Sequence, residues 1–174
     1  GDWVLVLHAE DTLLNPDSLA RAVAHLEGAD IVSFDVLFAT QPRDRRLVSR
    51  GLSAGLAFKT TIPHQGAFCR RDLYSRLGPF DPSFRIVMDY EFFLRARRAG
   101  AVARGVPEIL SRMPDTGVSS RLDWPSLRSR FNEERRVHIK HCSGPVMRAV
   151  YELYWPLYLG YRRLRSVLVG LGND

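Results

Sequence analysis

Cysteine is scarce in this chain, and what little there is does not cluster. Cys69 and Cys142 lie far apart with no CxxC spacing. That excludes a disulfide framework and a four-cysteine zinc site, and it fits a reducing compartment. Long apolar runs are missing too: no uncharged stretch reaches the roughly 18 residues that a membrane-spanning helix needs. No internal repeat, low-complexity tract or recognisable nucleic-acid motif is present, so a nucleic-acid binder is disfavoured. What remains is ordinary globular material, 45% hydrophobic and 25% charged over 174 residues. That length suits one domain, or one domain with an appendage.

The charge is unevenly placed. The formal net charge is +6, yet residues 124–174 hold nine Arg and Lys against four acids, a local excess of +5. The first 123 residues carry 16 basic and 15 acidic groups and are nearly neutral. The chain therefore divides into a neutral body, 1–123, and a basic helical region, 124–174. An anionic partner is expected to meet the second part, a lipid headgroup surface before nucleic acid. A solvated helix face is the plainer alternative.

Trp3-Val4-Leu5-Val6-Leu7 is a continuous apolar run of strand length, which predicts a strand buried on both faces of a parallel sheet. Asn15 offers an N-cap with Pro16 at the first helical position. Leu19, Ala22, Val23 and Leu26 follow at helical spacing, and Gly28 closes that helix. Residues 31–38 predict a second strand. Residues 40–56, polar, Arg-rich and glycine-punctuated, read as a mobile loop. A short strand over 66–69, a short helix over 72–77 ended by Gly78-Pro79, and a turn at Asp81-Pro82-Ser83 come next. Phe92, Phe93, Ala96 and Ala99 predict a helix over 89–99 stopped by Gly100. Residues 102–106 and 109–113 read as two short strands. Beyond Trp124-Pro125 the pattern is helical and basic, with Pro156 expected to interrupt it. Strand, helix, strand and further helix make an α/β architecture with about four strands. A sheet that small leaves an apolar edge uncovered, which predicts missing partners upstream of the first strand.

Three places could carry chemistry. His8-Ala9-Glu10-Asp11 directly follows the first strand, where ligands gather in open α/β sheets. Adjacent acids there suit a hard divalent cation with bound phosphates, although acids after strands also cap helices. Asp89 opens its helix and is either an N-cap or a general base held at a helix start. His64-Gln65 reads as a structural histidine before a ligand. In the basic region, Tyr151, Tyr154, Trp155, Tyr158 and Tyr161 interleave with Arg148, Arg162, Arg163 and Arg165. That composition suits a headgroup boundary, with packing on the domain's own core as the alternative.

These segments share a pattern. Gly1-Asp2-Trp3 running through His8-Ala9-Glu10-Asp11-Thr12-Leu13-Leu14, then His64-Gln65-Gly66-Ala67-Phe68-Cys69-Arg70-Arg71, Gly78-Pro79-Phe80-Asp81 and Phe84-Arg85-Ile86-Val87-Met88-Asp89-Tyr90-Glu91, follow one another in order. Leu94-Arg95, Gly100 and Gly117-Val118-Ser119-Ser120 continue the register. The series resembles the family 2 glycosyltransferases, closest in flavour to the bacterial O-antigen and capsule type. His8 stands where many members of that family carry Asp or Asn.

The resemblance implies a GT-A (Rossmann-like) α/β fold that lacks its N-terminal nucleotide-binding half, with C-terminal basic amphipathic helices. It implies an inverting, hexosyltransferase-like enzyme that moves a sugar from a UDP- or GDP-sugar to a glycan or lipid-linked acceptor in cell-envelope polysaccharide synthesis. Asp89 falls on the family's catalytic base. Glu10 and Asp11 fall on the acids that bind Mg²⁺ or Mn²⁺ and, through it, the nucleotide cofactor. The expected location is cytoplasmic and peripheral on an anionic membrane. Residues 1–174 alone are expected to have negligible nucleotide affinity and no activity. The alternative is a non-catalytic truncated remnant that docks on a membrane or a protein.

Overall fold

A computed structural model of the chain describes residues 1–117 and 120–171, with side chains described as far as Ser166. It divides into two compact units, Gly1–Ser83 with Met88–Gly117, and Phe84–Val87 with the chain beyond Gly117.

The first unit is built on one six-stranded sheet. In chain order its elements are β1 (Trp3–Leu5), β2 (Thr12–Leu13), α1 (Ser18–Val23), β3 (Ile31–Ala39), β4 (Arg45–Leu47), β5 (Ala67–Arg70), α2 (Arg71–Leu77), α3 (Met88–Arg98) and β6 (Ala103–Pro114). The strand order is β1-β5-β3-β6-β2, with β4 also on β3. The β3–β6 pair is parallel and every other pair is antiparallel. The predicted strand at 31–38 is the centre of the sheet. Its Ile31, Val32, Phe34 and Val36 are all buried, as a strand with layers on both faces requires.

Several expectations are corrected. The first strand is short, half-buried and antiparallel to β5 at the sheet edge, not a doubly covered parallel strand. An unbroken apolar run of five does not distinguish the two, because an edge strand capped by a cation–π contact, here Arg70 over Trp3, also tolerates it. The helix predicted from Pro16 begins at Ser18, since Ser18 Oγ accepts the Asn15 N–H and Ser18 N–H donates to the Asn15 carbonyl, a closed turn ahead of the helix. The loop at 40–56 contains β4 and a 3₁₀ turn, Ala54–Ala57. Its anchor is Asp35, 1% exposed, which accepts from Arg46 Nε at 2.6 Å and from the Ser49 N–H at 2.8 Å. A buried carboxylate must be paired, so the Arg-rich loop folds back to supply the partner. The two short strands at 102–113 are one strand, β6, with a register shift at Phe34/Asp35/Val36 opposite. With β2 and β4 added, the sheet has six strands where four were expected.

The second unit holds α4 (Trp124–Lys140) and α5 (Pro145–Leu171). Asp123 caps α4, its Oδ1 accepting the Ser126 N–H at 3.0 Å, with Pro125 in the first turn. Leu127 and Phe131 of α4 meet Tyr151 and Trp155 of α5 in a buried cluster. Pro156 does not interrupt α5, which continues through it. The hydrogen bond that proline forfeits is offset here by the aromatic side chains on either side, Trp155 and Tyr158, which both pack on Phe131. Among the described residues no helix is long and apolar enough to cross a membrane.

Candidate functional site

The antiparallel register of β1 and β5 sets the site. Leu5 lies opposite Phe68, so continuing the register by three residues brings His8 to the level of Gln65. The turn after β1 and the 3₁₀ turn His64–Gly66 before β5 therefore meet at one end of the sheet. The His8 and His64 rings face each other with centroids 4.8 Å apart.

Each turn is fixed locally. The Asp11 N–H donates to the His8 carbonyl at 3.1 Å, and Asp11 Oδ2 accepts the His8 N–H at 2.8 Å. This reciprocal pair holds the Asp11 carboxylate beside His8. Gln65 is buried, and its carbonyl accepts from Ser111 Oγ of β6 at 2.8 Å. Gly66 leaves no room for a side chain: a Cβ there would run into the Phe34 carbonyl oxygen and approach the Val36 methyl at 3.0 Å. Glycine at 66 is what lets the histidine turn lie against β3.

The third contributor is the start of α3. Asp89 Oδ2 lies 3.1 Å from His64 Nδ1, and its Oδ1 accepts the Tyr90 N–H at 2.8 Å. A carboxylate only accepts, so in the neutral ring the His64 proton sits on Nδ1 and the lone pair on Nε2. That Nε2 is buried and has no hydrogen-bond partner. His8, Asp11 and His64 each offer a ligand atom, all within 4.8 Å of one another. Two imidazoles and a carboxylate, one ring nitrogen unsatisfied, fit a divalent cation.

The structure thus brings Asp11 and Asp89 together through His64. Glu10, two residues from His8, goes elsewhere: it is exposed and accepts from Thr116 Oγ1. His64, read from the sequence as structural, holds Asp89 with one nitrogen and is unsatisfied at the other. His8 entered that reading only as a departure from a pattern. The signal for the pair was the strand register, which requires knowing that β1 pairs with β5.

Glu91, the other acid near the start of α3, is fully buried and ion-paired to Arg95 Nε at 2.9 Å. Arg95 in turn donates to the carbonyls of Leu77, Gly78 and Pro79 where α2 ends. Glu91 is structural. Beside the site, burial pushes the Cys69 thiol up to about 12, so this cysteine is no nucleophile at neutral pH.

No protein-family model matches the chain. It is 36% identical over 151 residues to an uncharacterized glycosyltransferase of Mycobacterium tuberculosis, covering 83% of this chain and 56% of that protein. It is 35% identical over 98 residues to a PGL/p-HBAD biosynthesis glycosyltransferase of Mycobacterium bovis, covering 55% of this chain and 38% of that one. An uncharacterized glycosyltransferase of Bacillus subtilis is 29% identical over 158 residues, covering 84% of this chain and 57% of its own length. The chain therefore spans between 38% and 57% of these curated relatives. In fold it is similar to the crystal structure of S. aureus TarS 1-349, with a TM-score of 0.54 at 13% identity, over 79% of this chain and 40% of that one.

Proposed function

We propose that this chain is part of an inverting, family 2 glycosyltransferase of GT-A type. It would transfer a hexose from a UDP- or GDP-sugar to a hydroxyl of a glycan or lipid-linked acceptor during cell-envelope polysaccharide synthesis. The observation that carries the reading is the meeting of Asp11, His64 and Asp89 at one end of the sheet, in a chain whose relatives are named glycosyltransferases.

Inverting transfer is a single displacement. The acceptor oxygen bonds to the anomeric carbon on one face as the bond to the diphosphate oxygen breaks on the other. The acceptor proton passes to a carboxylate within hydrogen-bond reach, and the nucleoside diphosphate leaves with the bonding electrons. Asp89 is the base in this reading. Its two oxygens are each fixed by one donor, which aims the carboxylate while leaving lone pairs for the acceptor hydroxyl. A Mg²⁺ or Mn²⁺ ion at the Glu10–Asp11 turn would neutralise charge on the departing diphosphate. Asp11 is held at that turn by the His8 N–H, and Glu10 by Thr116. The relatives' names favour this over a non-catalytic docking remnant.

The test is a panel of UDP- and GDP-sugars offered to the protein at its natural length with a membrane lipid extract. Transfer from one donor, with inverted anomeric configuration by NMR and loss on EDTA treatment, is expected. Retained configuration would overturn the single displacement. Transfer indifferent to chelation would overturn the cation.

A further inference from the structure

We propose that His8, Asp11 and His64 together bind one divalent transition-metal ion, a mixed nitrogen and oxygen site in which Asp89 fixes the ring of His64. The proposal deepens the functional reading above by giving its cation a ligand set. It does not need sugar transfer to be tested.

The first support is the unsatisfied nitrogen. His64 Nδ1 is engaged by Asp89 at 3.1 Å, and its Nε2 is buried with no hydrogen-bond partner. Leaving a buried polar atom unpaired is unfavourable, and a metal ion is one partner that removes the penalty. A histidine whose far nitrogen donates to a carboxylate is the arrangement that orients metal-ligating imidazoles. Asp89 supplies that carboxylate from a different element, the start of α3.

The second support is distance. The three ligand atoms lie within 4.8 Å of one another. Ligands on one tetrahedral ion at about 2.1 Å are about 3.4 Å apart, so the site closes with side-chain movements of about an ångström. His8 is exposed and free to make them, whereas Asp11 and His64 are each held by a hydrogen bond. Asp11 uses Oδ2 to accept the His8 N–H, and a carboxylate has a second oxygen for a cation.

The third support is chemical class. Imidazole nitrogens suit Zn²⁺, Fe²⁺ and Ni²⁺, while Mg²⁺ takes oxygen ligands and keeps its waters; Mn²⁺ favours oxygen but accepts imidazole more readily than Mg²⁺ does and serves as the paramagnetic probe. A site with two imidazoles in three side chains should therefore prefer transition ions. Glu10, which bonds Thr116, is not needed in the ligand set.

The experiment is Mn²⁺ titration of the full-length protein followed by EPR, with electron spin-echo modulation to detect ¹⁴N coupled to the bound ion. We expect one Mn²⁺ per chain with nitrogen modulation, not displaced by a hundredfold excess of Mg²⁺. His64→Ala should weaken binding at least tenfold, and His8→Ala, at an exposed position that does not threaten folding, should reduce the nitrogen modulation. Bound Mn²⁺ without nitrogen modulation, or affinity and modulation unchanged in His8→Ala, would overturn the site, as would no binding at all. Nitrogen-ligated Mn²⁺ in a protein that transfers no sugar would leave this site standing and sink the transferase reading. Sugar transfer with an all-oxygen ion would do the reverse.

Discussion

Asp89 and Glu91 are two carboxylates two residues apart on one helix, and the structure sends them to opposite fates. A helix turns about 200° over two residues, so one faces His64 and the other the interior, where Arg95 neutralises it. If Asp89 is the base, Asp89→Asn in the full-length enzyme should lower kcat by about 10²–10⁴. Its thermal unfolding midpoint should stay close to wild type, because the Asn oxygen still accepts the Tyr90 N–H while its amide NH2 donates to His64 Nδ1 in the other ring tautomer. Wild-type turnover in that variant would return Asp89 to a purely structural role. Glu91→Gln should behave oppositely: breaking a buried ion pair costs about 3–5 kcal/mol, so the expected result is lost stability, read by denaturant unfolding. Asp89 and Asp11 were legible in the sequence because each sits just beyond an element whose periodicity is plain. His8 and His64 were not, since only the pairing of β1 with β5 makes neighbours of residues so far apart in the chain.

Elements read best where one periodicity covers their whole length. The central strand β3, helix α3 and the start of α4 at Trp124 were visible for that reason. Strands β2 and β4 were not, being two and three residues long and half exposed, and formed because β6 and β3 offer them edges. The 3₁₀ turn Ala54–Ala57 and strand β4 owe their place to long-range partners, Tyr90 donating to the Leu56 carbonyl and Asp35 pairing with Arg46, which no local pattern announces. The same dependence makes Gly66 testable. Gly66→Ala forces a Cβ against the Phe34 carbonyl, and overpacking of this kind costs about 1–3 kcal/mol. The variant should unfold at lower denaturant and also weaken any ligand that depends on His64, two residues away. In the helical unit, His138 of α4 is 1% exposed and accepts from Trp155 Nε1 at 3.1 Å, stacked on Tyr151. Burial pushes it down from the usual histidine range to about 4. The folded helix pair holds it neutral while the unfolded chain takes up a proton below about pH 6.5. Its contribution is therefore intact at neutral pH and is lost as pH falls from about 6.5 toward 4, by up to roughly 3 kcal/mol. Tryptophan-monitored denaturation at pH 7, 5.5 and 4 should show this loss, and His138→Gln, which does not titrate, should flatten it.

At the scale of the whole molecule, the basic excess in residues 124–174 coincides with a helix, α5, one face of which packs on α4. Tyr151 and Trp155 of α5 are buried against α4, within the same basic region. Val146, Val150, Leu153, Leu157, Tyr161 and Leu164 recur at spacings of three and four and are exposed, Leu153 and Leu157 at 66% and 65%. Arginines stand along the same helix. Arg148 is tied to Glu152, Arg162 lies over Phe131 and Arg163 over Trp124, while Arg165 is exposed. An apolar stripe flanked by guanidinium groups has the chemistry of a helix lying in an anionic lipid interface, where the stripe enters the acyl boundary and the arginines meet phosphates. We propose that the protein docks there. Each basic group near such a surface adds about 1 kcal/mol, so binding should fall when salt shortens the screening length from about 10 Å at 0.1 M to about 3 Å at 1 M. Flotation with vesicles containing anionic lipid should retain the protein at low salt and release it at high salt, with neutral vesicles binding little. Leu153→Glu with Leu157→Glu should abolish flotation while leaving α4–α5 packing and tryptophan fluorescence unchanged, since neither side chain is in the buried cluster. Binding that is indifferent to anionic lipid, or that survives the double substitution, would show that the stripe serves another purpose.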